Sequence, residues 1–228
     1  MSPSPTRVHG YDRLVRLYDP LAALWSGGGI GACHRIVADR IQPGERVLFA
    51  GAGGGRDAVA AVRRGARASL LDTSPRMLAH ARRRLERRAP GAAVELRQED
   101  VRDHRPPTPP DVVVACFFLN VFHADEVKAL LGRFHGWLSP GGRLLIADFA
   151  PLRGSGLHRH LQRLHHDLPM HTFAALTGNA RHPIHELGAA VASAGFTRIE
   201  RSGVRLGGRG PCWYEVIEAH RADAEVPA

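Results

Sequence analysis

Residues 47–58 read VLFAGAGGGRDA: an apolar run enters Gly51, Gly53, Gly54 and Gly55 and leaves as the start of a helical pattern. An apolar run that meets clustered glycines reads as a buried strand turning sharply. Glycine tolerates positive φ and lets a ligand approach the backbone with no side chain in the way. A dinucleotide cradle wants glycine at the first, third and sixth places, and counting from Gly51 the sixth is Arg56. The Lys-Ser/Thr end of a phosphate loop is missing as well. A pyrophosphate seat is therefore disfavoured, although the strand–turn–helix unit is plain.

Outward from this turn, apolar runs alternate with segments of helical period. The runs are 46–51 (RVLFAG), 68–72 (ASLLD), 93–97 (AVELR), 111–118 (DVVVACFF) and 143–149 (RLLIADF), and the helical stretches are 56–64, 75–88 and 125–138. Parallel strands need crossovers to return, so this alternation predicts an α/β fold with a doubly wound, mostly parallel sheet. In 75–88, Met77, Leu78, Ala81 and Leu85 form one stripe while Arg82, Arg83, Arg84, Arg87 and Arg88 lie on the other side, as a solvated face would. RPPTPP at 105–110 reads as a loop before the fourth strand, and Ser139, Pro140, Gly141 and Gly142 as the turn into the fifth. Residues 185–194 read as a helix, and 196–204 and 213–219 as two last strands, which makes seven. Gly27 to Gly31 (GGGIG) follows no strand and reads as a flexible connector. The predicted organisation is an N-terminal helical cap over 1–42, a domain over 43–220 with a lid-like insertion at 152–184, and a flexible tail over 221–228.

Composition narrows the classes further. At 228 residues with 44% hydrophobic content the chain can bury a sizeable core, and no apolar stretch is long enough to span a membrane. The first residues, MSPSPTRVHGYDR, hold no apolar signal core, and Cys33, Cys116 and Cys212 are too dispersed for a disulfide framework or a cysteine zinc site. A reduced, cytoplasmic setting is expected. The net charge of +9 comes almost wholly from arginine, Lys128 being the single lysine, and aromatic residues make up only 6% and do not interleave with the arginines. A nucleic-acid partner is not expected.

Two acidic stations follow the glycine turn. Asp72 closes the second apolar run about 20 residues on, where a carboxylate can accept both hydroxyls of a ribose. Glu99-Asp100-Val101 closes the third, where an acid can accept an adenine amino group. Each feature has a plainer reading: the glycines as turn formers, Asp72 as a helix cap, and Met77 as core. Taken together, these segments resemble the class I S-adenosylmethionine-dependent methyltransferases, nearest the ubiquinone and menaquinone C-methyltransferase group and its small-molecule relatives. The resemblance also rests on YDRLVRLYDPLAALWSGG (11–28), LLDTSPRMLAHARRRL (70–85), residues 117–151 and AGF (194–196). It implies a Rossmann-like methyltransferase fold and S-adenosyl-L-methionine as cofactor. It further implies that Ala50, Gly51, Gly53 and Gly55 pass under the methionyl part, that Asp72 holds the ribose, and that Thr73 and Met77 flank the adenine. Asp100 and Val101 would meet the adenine amino edge, and Cys116 and Phe117 would end the fourth strand near the sulfonium. The family usually carries an acid where Phe49 stands.

Methyl transfer is an in-line displacement at an activated carbon, so a base is needed only where the acceptor must lose a proton. His123, after the fourth strand, is the first choice for one, with Tyr11, Tyr18 and His171 as further acceptor-side candidates. The histidines at 158, 160, 165, 166 and 171 lack a metal-site spacing and read as part of the lid, with no metal expected. Three readings stay open. One is transfer to a hydrophobic quinone-like, phenolic or secondary-metabolite acceptor. Another is phospholipid N-methylation, with weak surface association through arginines and Trp25. The third is a cofactor-binding protein that does not transfer methyl.

Overall fold

The computed structural model describes residues 26–152, 156, 159–160, 162–164, 184–205 and 211–223. Seven strands, β1 (Arg46–Ala50), β2 (Arg67–Asp72), β3 (Val94–Gln98), β4 (Val112–Cys116), β5 (Arg143–Phe149), β6 (Thr197–Arg205) and β7 (Cys212–His220), form one sheet in the order β3-β2-β1-β4-β5-β7-β6. β1 to β5 are parallel, and β7 runs antiparallel between β5 and β6. The doubly wound α/β fold is thus the one the alternation predicts. Strand order reverses between β1 and β4, where a crevice opens at the carboxyl ends of the strands.

Five helices flank the sheet among the described residues: α1 (Gly29–Asp39), α2 (Arg56–Arg63), α3 (Pro75–Arg88), α4 (Ala124–Trp137) and α5 (Leu187–Ser193). One apolar layer gathers Val37, Phe49, Val59, Leu70, Leu78 and Leu145 beneath α1, α2 and α3, and the other gathers Leu48, Leu71, Val113, Leu131, Phe134 and Ile146 beneath α4 and α5. Alternation along β1 sends Phe49 to the first layer and Leu48 to the second. α3 starts where the sequence indicates. Ser74 caps it by accepting from the Met77 N–H at 3.2 Å, Pro75 stands in the first turn, and Met77, Leu78, Ala81 and Leu85 are buried.

Two expectations need correction. The glycines at 27–31 are not a connector: Gly28, at φ +83°, caps α1, and Gly29 and Gly31 lie in its first turn. The helix forms because Cys33, Val37 and Ala38 bury one face against the sheet, and packing overrides the poor propensity of glycine. The fourth strand stops at Cys116, two residues before the predicted end, because Phe117 takes φ +50° and turns the chain into a 3-10 turn at Leu119–Val121. The 1–25 part of the predicted cap, most of the 152–184 insertion, the tail beyond residue 223, and Tyr11, Tyr18, Trp25 and His171 lie outside the described residues. At the described edge of the insertion, Gln162 is buried and donates to the Cys212 carbonyl at 2.8 Å.

Candidate active site

The glycine turn gathers at the carboxyl ends of β1, β2 and β4. Gly51, Gly53 and Gly55 all have positive φ, at +65°, +50° and +69°, which a side chain would strain. Gly55 also has no room: a Cβ there would lie 2.7 Å from the Ala81 Cβ, so its bareness lets α2 and α3 pack closely. β1 and β2 run side by side with Ala50 opposite Leu71, which brings Asp72 next to the turn.

Asp72 and the turn are locked together. Its carboxylate accepts from the Gly53 N–H at 2.8 Å and the Ser74 N–H at 2.9 Å. Burial nevertheless pushes its pKa above the ordinary carboxylate value, against the pull of the backbone donors of Ser74, Gly53 and Thr73. A carboxylate offers about four acceptor sites, so capacity remains for a ligand hydroxyl. Thr73 is exposed beside it and Met77 is buried below it. Bare backbone with a fixed, desolvated acceptor fits a nucleoside bearing ribose hydroxyls.

The other predicted contacts are placed less simply. Asp100 is gripped by Arg102, whose Nη2 donates to Oδ2 at 2.6 Å and whose backbone N–H and Nε donate to Oδ1 at 2.8 and 3.0 Å. That guanidinium holds the Asp100 carboxyl below its usual pKa. Val101 is buried in the apolar layer against α4. Over the Cβ side of Gly51 lies the ring of Phe118, whose Cδ2 would stand 2.0 Å from a Cβ added to the glycine, so no side chain fits there. Phe117 meets Phe149 and Tyr214 edge-on at centroid distances of 5.9 and 5.8 Å, and Phe118 meets Phe122 edge-on at 5.1 Å. An aromatic floor therefore lines the edge where β4 ends.

His123, the predicted base, is exposed at the N-cap of α4, and its backbone N–H donates to Glu126 Oε2 at 3.0 Å. One buried acid escaped the sequence reading. Asp148, near the carboxyl end of β5, is 2% exposed, and burial pushes its pKa up to about 7, with Glu215 adding to the rise. Its Oδ1 accepts from the Phe149 N–H at 2.8 Å. The available signal was a single acid inside the apolar run RLLIADF. A cleft of about 460 Å³, lined by Arg46, Ser69, Arg97 and Pro107, opens toward the opposite, amino-terminal edge of the sheet. It is remote from the glycine turn and has no part in this site.

Comparison with known proteins bears on the family and the fold. Residues 47–142 match the family described as the methyltransferase domain. The chain is 28% identical over 138 residues to carboxy-S-adenosyl-L-methionine synthase of Escherichia coli O1:K1 / APEC, a match covering 58% of this chain and 55% of that protein. The chain thus spans about half the length of the curated relatives it matches. Among solved structures, the 1,6-didemethyltoxoflavin-N1-methyltransferase of Burkholderia thailandensis, with 1,6-didemethyltoxoflavin and S-adenosylhomocysteine bound, has a TM-score of 0.63 at 21% identity, over 98% of this chain and 93% of that one. Magnesium protoporphyrin IX methyltransferase from Synechocystis PCC 6803, with S-adenosylhomocysteine bound, has a TM-score of 0.66 at 19% identity, over 95% and 96%. At such identities the likeness establishes the shared fold.

Proposed function

We propose that this chain, whose residues 47–142 match a methyltransferase domain, is a class I S-adenosylmethionine-dependent methyltransferase that transfers a methyl group to a small hydrophobic acceptor. The observation that carries the reading is the Asp72 carboxylate, held by the Gly53 N–H at 2.8 Å beside a turn whose glycines leave the backbone bare. When bound, S-adenosylmethionine supplies a methyl group on a positively charged sulfur, which an acceptor can displace in line.

The chain's own residues hold and shield. Ala50, Gly53 and, beside the Phe118 ring, Gly51 would offer backbone to the cofactor, with Gly55 serving the turn by letting α2 and α3 close together; Asp72 would accept the ribose hydroxyls, and Thr73 and Met77 would flank the base. Asp100 and Val101 lie at the next strand end, with Arg102 limiting how much of the Asp100 carboxylate is free. Cys116 and Phe117 end β4, and the rings of Phe117, Phe149 and Tyr214 make that edge apolar. A dry edge favours a ring-like acceptor and excludes water that would screen the reacting charge. Where the acceptor is a phenol or an acidic N–H, the exposed His123 at the N-cap of α4 is the group offered to take its proton, since Asp148 is enclosed in the interior. The test is turnover on a panel of phenols, quinols and heteroaromatic amines, with S-adenosylhomocysteine formation as the readout. Product formed on at least one aromatic acceptor supports the reading, and cofactor binding without turnover on any of them counts against it.

A second reading has its own support. Curated relatives the chain matches include carboxy-S-adenosyl-L-methionine synthase, and Phe49 stands where the family it resembles usually carries an acid. Under it the chain binds the sulfonium cofactor for chemistry other than methyl transfer. Mass spectrometry of the nucleoside pool after incubation with a methyl acceptor and a carboxyl-donating co-substrate distinguishes the two, since methyl transfer leaves S-adenosylhomocysteine and the alternative leaves a sulfonium heavier by the carboxyl group taken from that donor. For phospholipid N-methylation the corresponding test is salt-dependent co-sedimentation with anionic vesicles. No helix among the described residues is long and apolar enough to cross a membrane.

A further inference from the structure

Three side chains far apart in sequence converge beside the glycine turn. His34 projects from α1, Asp57 from the first turn of α2, and Cys116 is the last residue of β4. Their ligand atoms, a ring nitrogen, a carboxylate oxygen and the sulfur, all lie within 4.8 Å of one another. We propose that His34, Asp57 and Cys116 form a binding site for a divalent transition-metal ion of the zinc class, with three protein ligands and one open coordination position.

Donor chemistry selects the ion. Thiolate and imidazole together suit zinc, cobalt or nickel, whereas magnesium and calcium prefer oxygen throughout. Charge supports the choice. Asp57 and a deprotonated Cys116 carry two negative charges and a neutral imidazole none, so a dipositive ion makes the half-buried group neutral overall. Without an ion, burial and the nearby Asp57 carboxylate push the Cys116 thiol pKa well up. Metal binding reverses this by taking the sulfur as thiolate and releasing its proton to solvent.

Geometry also allows the ion. His34 Nδ1 and Asp57 Oδ1 stand 2.7 Å apart, both shielded from solvent, yet their approach does not have the angles of a hydrogen bond. Tetrahedral zinc with bonds of about 2.0 Å to nitrogen and oxygen sets those two ligands about 3.3 Å apart, so a side-chain shift well under 1 Å admits it. Each ligand comes from a different packed element, which gives the site a rigid base. The His34 ring also lies 5.7 Å from that of Phe117, so the open position is near the end of β4. A cysteine-only site remains ruled out by the spacing; a mixed-donor site is not.

The test uses the full chain without an affinity tag, stripped with chelator and titrated with cobalt(II), then zinc(II). The expected result is one ion per chain, a near-ultraviolet thiolate-to-cobalt charge-transfer band, strong visible bands of tetrahedral cobalt, and loss of both on adding zinc. Cys116→Ser is expected to abolish the charge-transfer band, His34→Ala and Asp57→Asn to weaken affinity at least tenfold, and Cys212→Ser to change nothing. A wild-type spectrum with no thiolate band overturns the proposal, whether or not the variants fold. So does a band that survives in Cys116→Ser. Binding of S-adenosylhomocysteine, measured separately, leaves this outcome independent of the proposed function.

Discussion

Replacing Asp148 with asparagine has a calculable consequence. The side chain is 2% exposed, sits opposite Glu215 in the β5–β7 ladder, and places Oδ2 in the interior without a hydrogen-bond partner. Glu215 is itself buried and is held by Arg201 at 2.5 Å, which leaves little positive charge to spare for Asp148. Burial therefore dominates, and the pKa rises from 3.8 to about 7. Between those values the folded chain keeps a proton that the unfolded chain has released, so the native state binds more protons and stability falls as pH rises. At about 1.4 kcal/mol per pH unit, some three units give an upper bound of about 4 kcal/mol lost between pH 4 and pH 8. An asparagine side chain has nearly the same shape and never ionises. The Asp148→Asn variant is expected to match the wild type within about 1 kcal/mol at pH 4 and to exceed it by roughly 2–4 kcal/mol at pH 8. Urea unfolding followed by circular dichroism at pH 4, 6, 7 and 8 measures the difference, in which the titrations of all other groups cancel. Parallel stability–pH curves for the two proteins, or a wild type that gains on the variant as pH rises, would refute the assignment of a buried, proton-retaining carboxyl.

Further outcomes follow from the same geometry. Gly55→Ala forces a Cβ to 2.7 Å from Ala81 at φ +69°, so a loss of about 2–4 kcal/mol is expected, whereas Gly53→Ala meets no atom within 4 Å and should lose about 1–2 kcal/mol from its backbone alone; equal melting temperatures would contradict this. Asp100→Ala should weaken S-adenosylhomocysteine binding by less than about fivefold, because Arg102 already occupies most of that carboxylate, and calorimetry on the variant checks it.

Much of the fold is legible because its signals are local. The β1 apolar run, the glycines after it, the stripe of α3 and the Ser74 cap are each read within a few residues, and Asp72 follows from the spacing of adjacent strands. What escapes is set by tertiary packing. Nothing in DVVVACFF marks Phe117 as the residue that turns, since its positive φ is held by ring contacts with Phe149 and Tyr214 from β5 and β7. The glycines before Ile30 look like a loop because their helix is stabilised by Cys33 and Val37 against a distant sheet. Asp148 looks like one polar residue in a strand until burial on all sides is known, and His34, Asp57 and Cys116 share no local pattern at all.

Calorimetric titration of the full chain with S-adenosylhomocysteine, beside Asp72→Ala, tests the cofactor site most directly. One site per chain is expected, with affinity lowered about 10- to 100-fold in the variant, as for about 1.5–3 kcal/mol from hydrogen bonds to a charged acceptor. Absence of binding heat in the wild type up to millimolar ligand, or identical affinities for the two proteins, would contradict it.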